Sequence, residues 1–244
     1  MTLVPALIDV LAPDPCPACG GPRGLAARTR LCFACDAQVH GLPVALPPLA
    51  PLACVWALGP YDGPLGAMIR RAKYAPDPGA IDELARRLAQ AANGRLPQVD
   101  LVTSVPVPWS RRLRRGFDQA ERLAIPVAIA ASARRKRLLR RVRSEEQAGR
   151  GLAARRAGAH GAFAARQALR GQRVLLVDDV LTTGSTVSAC ATELLGAGAS
   201  RVYGLIVAHQ PPPRARAADG SAAFFAGSGK ASQVLYSGAD PAVE

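Results

Sequence analysis

At 244 residues and 49% hydrophobic content, the chain is long enough to bury one substantial α/β core with room for a small appended module. Lys and Arg outnumber Asp and Glu by 31 to 18, an excess that points to polyanionic company such as nucleic acid, phosphates or diphosphates. The opening MTLVPALIDVLAPD has no basic segment and carries Asp9, and no apolar run is long enough to span a bilayer, which argues against secretion and membrane insertion and for the cytoplasm, where cysteines stay reduced.

Residues 1 to about 50 are rich in Pro, Gly and Cys with little periodicity, as suits a small metal-stapled module. Cys16-Pro-Ala-Cys19 and Cys32-Phe-Ala-Cys35 are two CxxC pairs separated by twelve residues, each able to grip one metal from a tight turn. Four thiolates favour structural Zn²⁺; unbound thiols are the alternative. A redox CxxC opens a helix in a thioredoxin-type unit, a context neither pair has. The ribbon is either a folding staple or a nucleic-acid contact, for which Arg23, Arg28 and Arg30 are available. Cys54 and Cys190 read as core cysteines.

From Ala53 the character changes. CVWALG (54–59) reads as a strand, and YDGPLGAMIRRAKYAPD as a turn, a short helix and another turn. IDELARRLAQAAN is an amphipathic helix with Ile81, Leu84, Ala85 and Leu88 on one face and charges on the other, ended by Asn93-Gly94. VDLVTSV (99–105) has the apolar run of a strand buried on both faces and stops at Pro106-Val107-Pro108. A basic connector, Arg111 to Gly116, leads to a helix beginning FDQAERLA that Pro126 is expected to kink or end. Between Arg111 and Arg156 stand fifteen basic residues against four acidic ones, so the charge excess is concentrated here. Ala133 to Gly161 reads as a mobile basic excursion with a helix inside. RVLLV (173–177), STVSACATELLGAGA (185–199) and RVYGLIVA (201–208) then form strand, helix and parallel strand. The composition after His209 cannot build a core and reads as a disordered tail.

VLLVDDVLTTGST (174–186) carries the chemistry. In an open α/β sheet ligands bind outside the carboxyl ends of the strands, and Asp178 and Asp179 are expected at such an end, since burying both charges would be costly. Thr182, Thr183, Gly184, Ser185 and Thr186 lead into a helix, so backbone N–H groups and the positive end of the helix dipole face the loop's occupant. That arrangement selects an anion, most simply a phosphate, with hydroxyl donors beside it and Gly184 allowing close approach. The two carboxylates suit vicinal hydroxyls or a hydrated Mg²⁺. A ribose 5-phosphate satisfies both ends. A capped strand-to-helix turn with exposed aspartates, or a metal-binding strand without its partner loop, are the alternatives. The histidines at 40, 160 and 209 lie near no nucleophile motif.

VLLVDDVLTTGST resembles the phosphoribosyl diphosphate (PRPP) motif of type I phosphoribosyltransferases, and VPVPWSRRLRRGFDQAERLA (105–124) resembles the ComF, or competence ComFC, branch of that family. YDG and KY (61–74), Gln147, Arg155 and Gly161-Ala162-Phe163 extend the resemblance over roughly residues 14 to 209. It implies a parallel sheet flanked by helices over 51–209, preceded by a zinc-ribbon-like module over 1–50 and followed by the tail, 210–244. It further implies that Asp178 and Asp179 hold the ribose hydroxyls and Mg²⁺, that residues 182 to 186 hold the 5-phosphate, and that Val105, Pro106, Val107 and Pro108 form the diphosphate loop. Arg112 and Arg115 are implied as diphosphate partners, and Arg143 to Arg155 as a lid. The expected process is DNA uptake in competence, in contact with the uptake machinery. The chain is expected either to transfer phosphoribose to an acceptor or, without catalysis, to sense PRPP and bind single-stranded DNA.

Overall fold

The computed structural model describes residues 14–23, 29–39, 42–75, 77–107, 119–142 and 161–210. In chain order the elements are α1 (Phe33–Gln38), β1 (Val44–Ala45), β2 (Cys54–Pro60), α2 (Gly63–Tyr74), α3 (Pro78–Ala92), β3 (Leu101–Ser104), α4 (Gln119–Ala130), β4 (Arg134–Arg135), β5 (Leu139–Arg141), β6 (Phe163–Ala165), β7 (Arg173–Leu181), α5 (Ser185–Gly196) and β8 (Arg201–His209). Six strands make one sheet in the order β1-β2-β8-β7-β3-β4. All neighbours run parallel except β1, which is antiparallel to β2. β5 and β6 form a separate antiparallel pair.

The central strands are apolar along their length because both faces are covered, as parallel sheets require. Side chains alternate between faces. Val174, Leu176, Val202 and Ile206 join a core with Val187, Cys190 and Leu194 of α5. Leu175, Val177, Leu205 and Val207 join the opposite core, supplied by α2, α3 and α4. In α2 the buried residues Leu65, Met68, Ile69 and Ala72 recur at helical spacing, and Pro64 opens the helix. Asp77 caps α3 by accepting from Gly79 and Ala80 N–H at 2.8 and 3.2 Å.

Several expectations are corrected. The charged side of α3 is solvated only in part: Asp82 and Arg86 stay partly exposed, whereas Glu83 is fully buried and Arg87 is 6% exposed, because the cysteine-bearing segment packs over them. Pro126 does not end α4, which continues to Ala130; the lost backbone bond is offset by burial of Leu123, Ala124, Val127 and Ala128. The stretch after Ala133 contributes strands, not a helix, through residue 142. Arg134 and Arg135 lie beside Leu101 and Val102, and Leu139 to Arg141 pair with Phe163 to Ala165. These pairings join distant segments, so no local period announces them. The remainder of the excursion, 143–160, and the tail from 211 onward lie outside the described residues.

Candidate functional site

β7 extends four residues past the segment read as its end. Its register with β8 runs from Arg173↔Arg201 to Leu181↔His209, whereas on its other side β3 reaches only Ser104↔Val177. Val105 N–H still donates to the Val177 carbonyl at 3.0 Å. Pro106 then has no N–H to offer. Asp178 and Asp179 therefore lie in the carboxyl-terminal half of β7, at the point where one edge loses its partner. A cleft of about 300 Å³ opens there, lined by Tyr61, Lys73, Val105, Pro106, Val107, Arg141, Asp178, Asp179, Thr182, Thr186 and Gln210 among others.

The pleat sends the two carboxylates to different faces. Asp178 continues the Val174 and Leu176 series toward α5, where its charge, after burial itself, helps push the Cys190 thiol well above its usual range. Its Oδ1 also accepts from Asp179 N–H at 2.8 Å. Asp179 continues the Leu175 and Val177 series toward α2, where Lys73 Nζ lies 3.1 Å from its Oδ1. The pair is thus a two-sided rim, not a single chelating cluster.

Thr182 and Thr186 face the cleft from the loop that ends β7 and the first turn of α5. Between them Gly184 takes φ +79 as the residue preceding α5, and Thr183 Oγ1 and Ser185 Oγ lie 3.0 Å apart. Gly184 as the residue preceding α5 has no side chain to cap it, and Thr183 Oγ1 accepts from Ser185 N–H only at 3.5 Å, so the positive end of the helix is presented at the cleft wall. Arg112 and Arg115, and the lid residues Arg143 to Arg155, lie outside the described residues. Lys73, Tyr61, Arg141 and Gln210 also line the cleft, residues to which the sequence alone gives no role. Tyr61 and Lys73 fall in the YDG and KY segments already singled out, but Arg141 and Gln210 carry no local signal. Arg141 stands on β5 with its guanidinium 5.3 Å from the Phe163 ring centre.

The four N-terminal cysteines converge. Cys16, Cys19, Cys32 and Cys35 bring their sulfur atoms within 4.8 Å of one another. Cys19 Sγ and Cys32 Sγ are 3.7 Å apart, close to the ~3.8 Å edge of a tetrahedron with ~2.3 Å metal–sulfur bonds. The first CxxC is a tight knuckle: Gly20 N–H donates to the Cys16 carbonyl at 2.8 Å, Cys16 N–H to the Gly21 carbonyl at 2.9 Å, and Gly20 takes φ +77. Gly21 N–H points at Cys19 Sγ at 3.4 Å. Burial raises the Cys16 thiol, but the N–H groups of Cys19, Cys32 and Ala18 outweigh that and bring it down to about 7. Cys35 is pushed up by burial and by its thiol neighbours. Four sulfur atoms this close, with thiolate stabilised at Cys16 and disfavoured at Cys35, are suited to one metal ion shared by all four.

The sheet order, the acid-bearing β7 and the glycine turn into α5 define a phosphoribosyltransferase-type fold, and the phosphoribosyl transferase domain family matches residues 113–223. The DNA utilization protein YhgH of Salmonella typhi is 32% identical over 197 residues, covering 74% of this chain and 84% of that protein. Its counterpart in Escherichia coli (strain K12) is 30% identical over 151 residues, covering 58% of this chain and 66% of that protein. The chain belongs to the ComF family of phosphoribosyltransferase-fold proteins, together with these DNA utilization proteins. Among solved structures, the glutamine PRPP amidotransferase from B. subtilis complexed with ADP and GMP is 28% identical with a TM-score of 0.36, and the match covers half of this chain and a quarter of that one. Among the described residues no helix is long and apolar enough to cross a membrane.

Proposed function

We propose that the cleft binds PRPP with Mg²⁺, and that the chain serves DNA uptake or use as its relatives' name suggests for them. One observation carries this reading: an anion-receiving helix start, with Thr182 and Thr186, opens into the same 300 Å³ cleft as two carboxylates on separate walls. The 5-phosphate belongs at residues 182 to 186, where hydroxyls, backbone N–H groups and the dipole of α5 converge. The ribose hydroxyls and metal belong at Asp178 and Asp179. The turn Val105 to Val107, which follows β3 beside β7 and lines the same cleft, is read as the diphosphate loop, with Arg112 and Arg115 following it in the chain. A zinc ion in the cysteine cluster would then be structural, holding the 1–50 module to a phosphoribosyltransferase domain over 51–209.

In phosphoribosyl transfer the C1–diphosphate bond breaks with positive charge developing on the sugar, so the site must stabilise charge and exclude water more than supply a nucleophile. Mg²⁺, when bound, neutralises the leaving diphosphate. The chain's own part is to hold both ends of the sugar phosphate so that the reacting carbon faces the open edge of β7.

A second reading, PRPP sensing with single-stranded DNA binding, is favoured by one further observation. Arg134 and Arg135 on the edge strand β4, Lys136 and Arg137 just after it and Arg140 on β5 are exposed, Arg135 and Arg137 also pairing with Glu121, and the neighbouring Arg141 reaches the cleft. Such a run binds phosphate backbones with little regard for sequence.

The test is calorimetric titration of PRPP with Mg²⁺. Asp178→Asn combined with Asp179→Asn should weaken binding by about a hundredfold or more, since two charge-assisted contacts are lost, with an unchanged far-UV circular dichroism spectrum. Equal affinity in the double variant sinks the assignment. Diphosphate release with added nucleobases separates transfer from sensing: binding without release supports the sensor.

A further inference from the structure

Lys73 has no assigned part in the cleft, yet it is built into it. It stands in the last turn of α2, where the negative end of the helix dipole favours a cation. Its side chain and that of Asp179 are each 19% exposed. Among the described residues it is the one cation within ion-pair distance of Asp179, and both line the cleft. The ion pair therefore covers one of the two carboxylates that a phosphoribosyl ligand and its metal are read to use.

We propose that Lys73 is a resident counter-cation that exchanges partners on binding: its ammonium neutralises Asp179 in the free cleft and transfers to the ligand's phosphate oxygens when a divalent cation or the ribose hydroxyls take the carboxylate. This inference rests on the phosphoribosyl reading of the site. The chemistry of the two groups favours exchange. A lysine ammonium is a point charge on a flexible four-carbon stem with three rotatable donors, and it does not lock a carboxylate in the two-pronged manner of arginine. Asp179 is partly shielded from water, so it would be costly to leave without any cation; Lys73 meets that need without closing the site. When the carboxylate is taken over, the ammonium is left a short reach from the anionic ligand, inside a cleft where charge pairs count for more than in bulk water. One divalent cation offsets only part of the negative charge that a phosphate and a diphosphate bring, so the released ammonium finds an anionic partner in the ligand.

The exchange predicts effects of opposite sign from one substitution. In the zinc-loaded full chain, Lys73→Met should let Mn²⁺ alone bind the cleft more tightly, because the competing ammonium is gone. The same variant should weaken PRPP in the presence of Mg²⁺ by about tenfold or more. Mn²⁺ binding is read by electron paramagnetic resonance, with the Asp178→Asn and Asp179→Asn double variant as background, and PRPP binding by calorimetry. Lys73→Gln repeats the neutral substitution in case Lys73→Met does not fold, and Lys73→Arg, which keeps the charge but can grip the carboxylate with two prongs, should hold Mn²⁺ no more tightly than wild type does. If both affinities fall together, or neither moves, Lys73 is only a structural partner of Asp179 and the proposal is overturned. If wild-type protein binds no PRPP, the phosphoribosyl reading fails by itself, and an unchanged Mn²⁺ affinity in Lys73→Met then disproves the counter-cation role separately.

Discussion

Gly184 concentrates the constraints of the site in one residue. Its φ of +79 is a conformation that L side chains rarely adopt, and a Cβ there would lie 2.7 Å from the Leu49 side chain. Both the turn from β7 into α5 and the close seating of Leu49 against it need a residue without a side chain. Gly184→Ala should cost about 1–3 kcal/mol from the backbone conformation alone, read as a lowered urea midpoint at unchanged slope. It should also weaken phosphate binding, because the loop's N–H groups depend on that geometry. The two aspartates, adjacent in sequence, are not equivalent residues: Asp179 faces a lysine, Asp178 a buried thiol and its neighbour's amide. Single Asn variants should accordingly differ in Mn²⁺ affinity.

At the scale of elements, α3 holds the cysteine-bearing segment to the rest of the fold. Glu83 receives Arg86 Nε at 3.0 Å and Arg87 Nε at 2.9 Å, and it also accepts from Arg30 N–H at 3.3 Å. Arg87 in turn donates to the Val39 carbonyl at 2.8 Å and pairs with Asp36. Burial raises the Glu83 carboxyl, but the two arginines outweigh it and hold it below its usual value of 4.5. The folded protein thus binds fewer protons at this site than the unfolded chain does. Its contribution is complete above pH ~4.5 and is lost as pH falls below that value through the lowered native one. Glu83→Gln leaves a buried arginine short of its partner and should cost about 3–5 kcal/mol at neutral pH. Chemical denaturation at pH 7 and at pH 4 should show the difference between variant and wild type narrowing in acid.

Across the whole molecule, the four clustered cysteines and the cleft share a helix. Cys16, Cys35 and Leu31 sit in one core with Met68, Ile69 and Ala72 of α2, and Gly20 of the first knuckle lies against the Arg71 guanidinium. Two residues further on, α2 presents Lys73 to Asp179. Cys16→Ser, or removal of the metal by a chelator, should lower the unfolding temperature and weaken PRPP together. Elemental analysis should find about one zinc per chain in wild type and a loss in the variant. Unchanged PRPP affinity in a metal-free but folded chain would show that α2 holds its position without the cluster. The exposed basic edge predicts that any single-stranded DNA affinity falls steeply with salt.

The strand, turn and helix of 174–186, the buried runs of β3 and β8, and the paired CxxC spacing were legible in the amino-acid sequence because each rests on contacts within a few residues or on a period that local geometry imposes. What only the tertiary structure decided depends on segments far apart in the chain. Glu83 and Arg87 look like a solvated helix face until the cysteine segment covers them. Arg134 and Arg135 look like part of a basic excursion until they lie beside Leu101 and Val102. β7 outlasts its expected end because β8 keeps pairing it after β3 has stopped at Pro106. Lys73 reads as a charge at the end of a short helix, and it becomes part of the site because α2 packs on the face toward which every second residue of β7, including Asp179, must point.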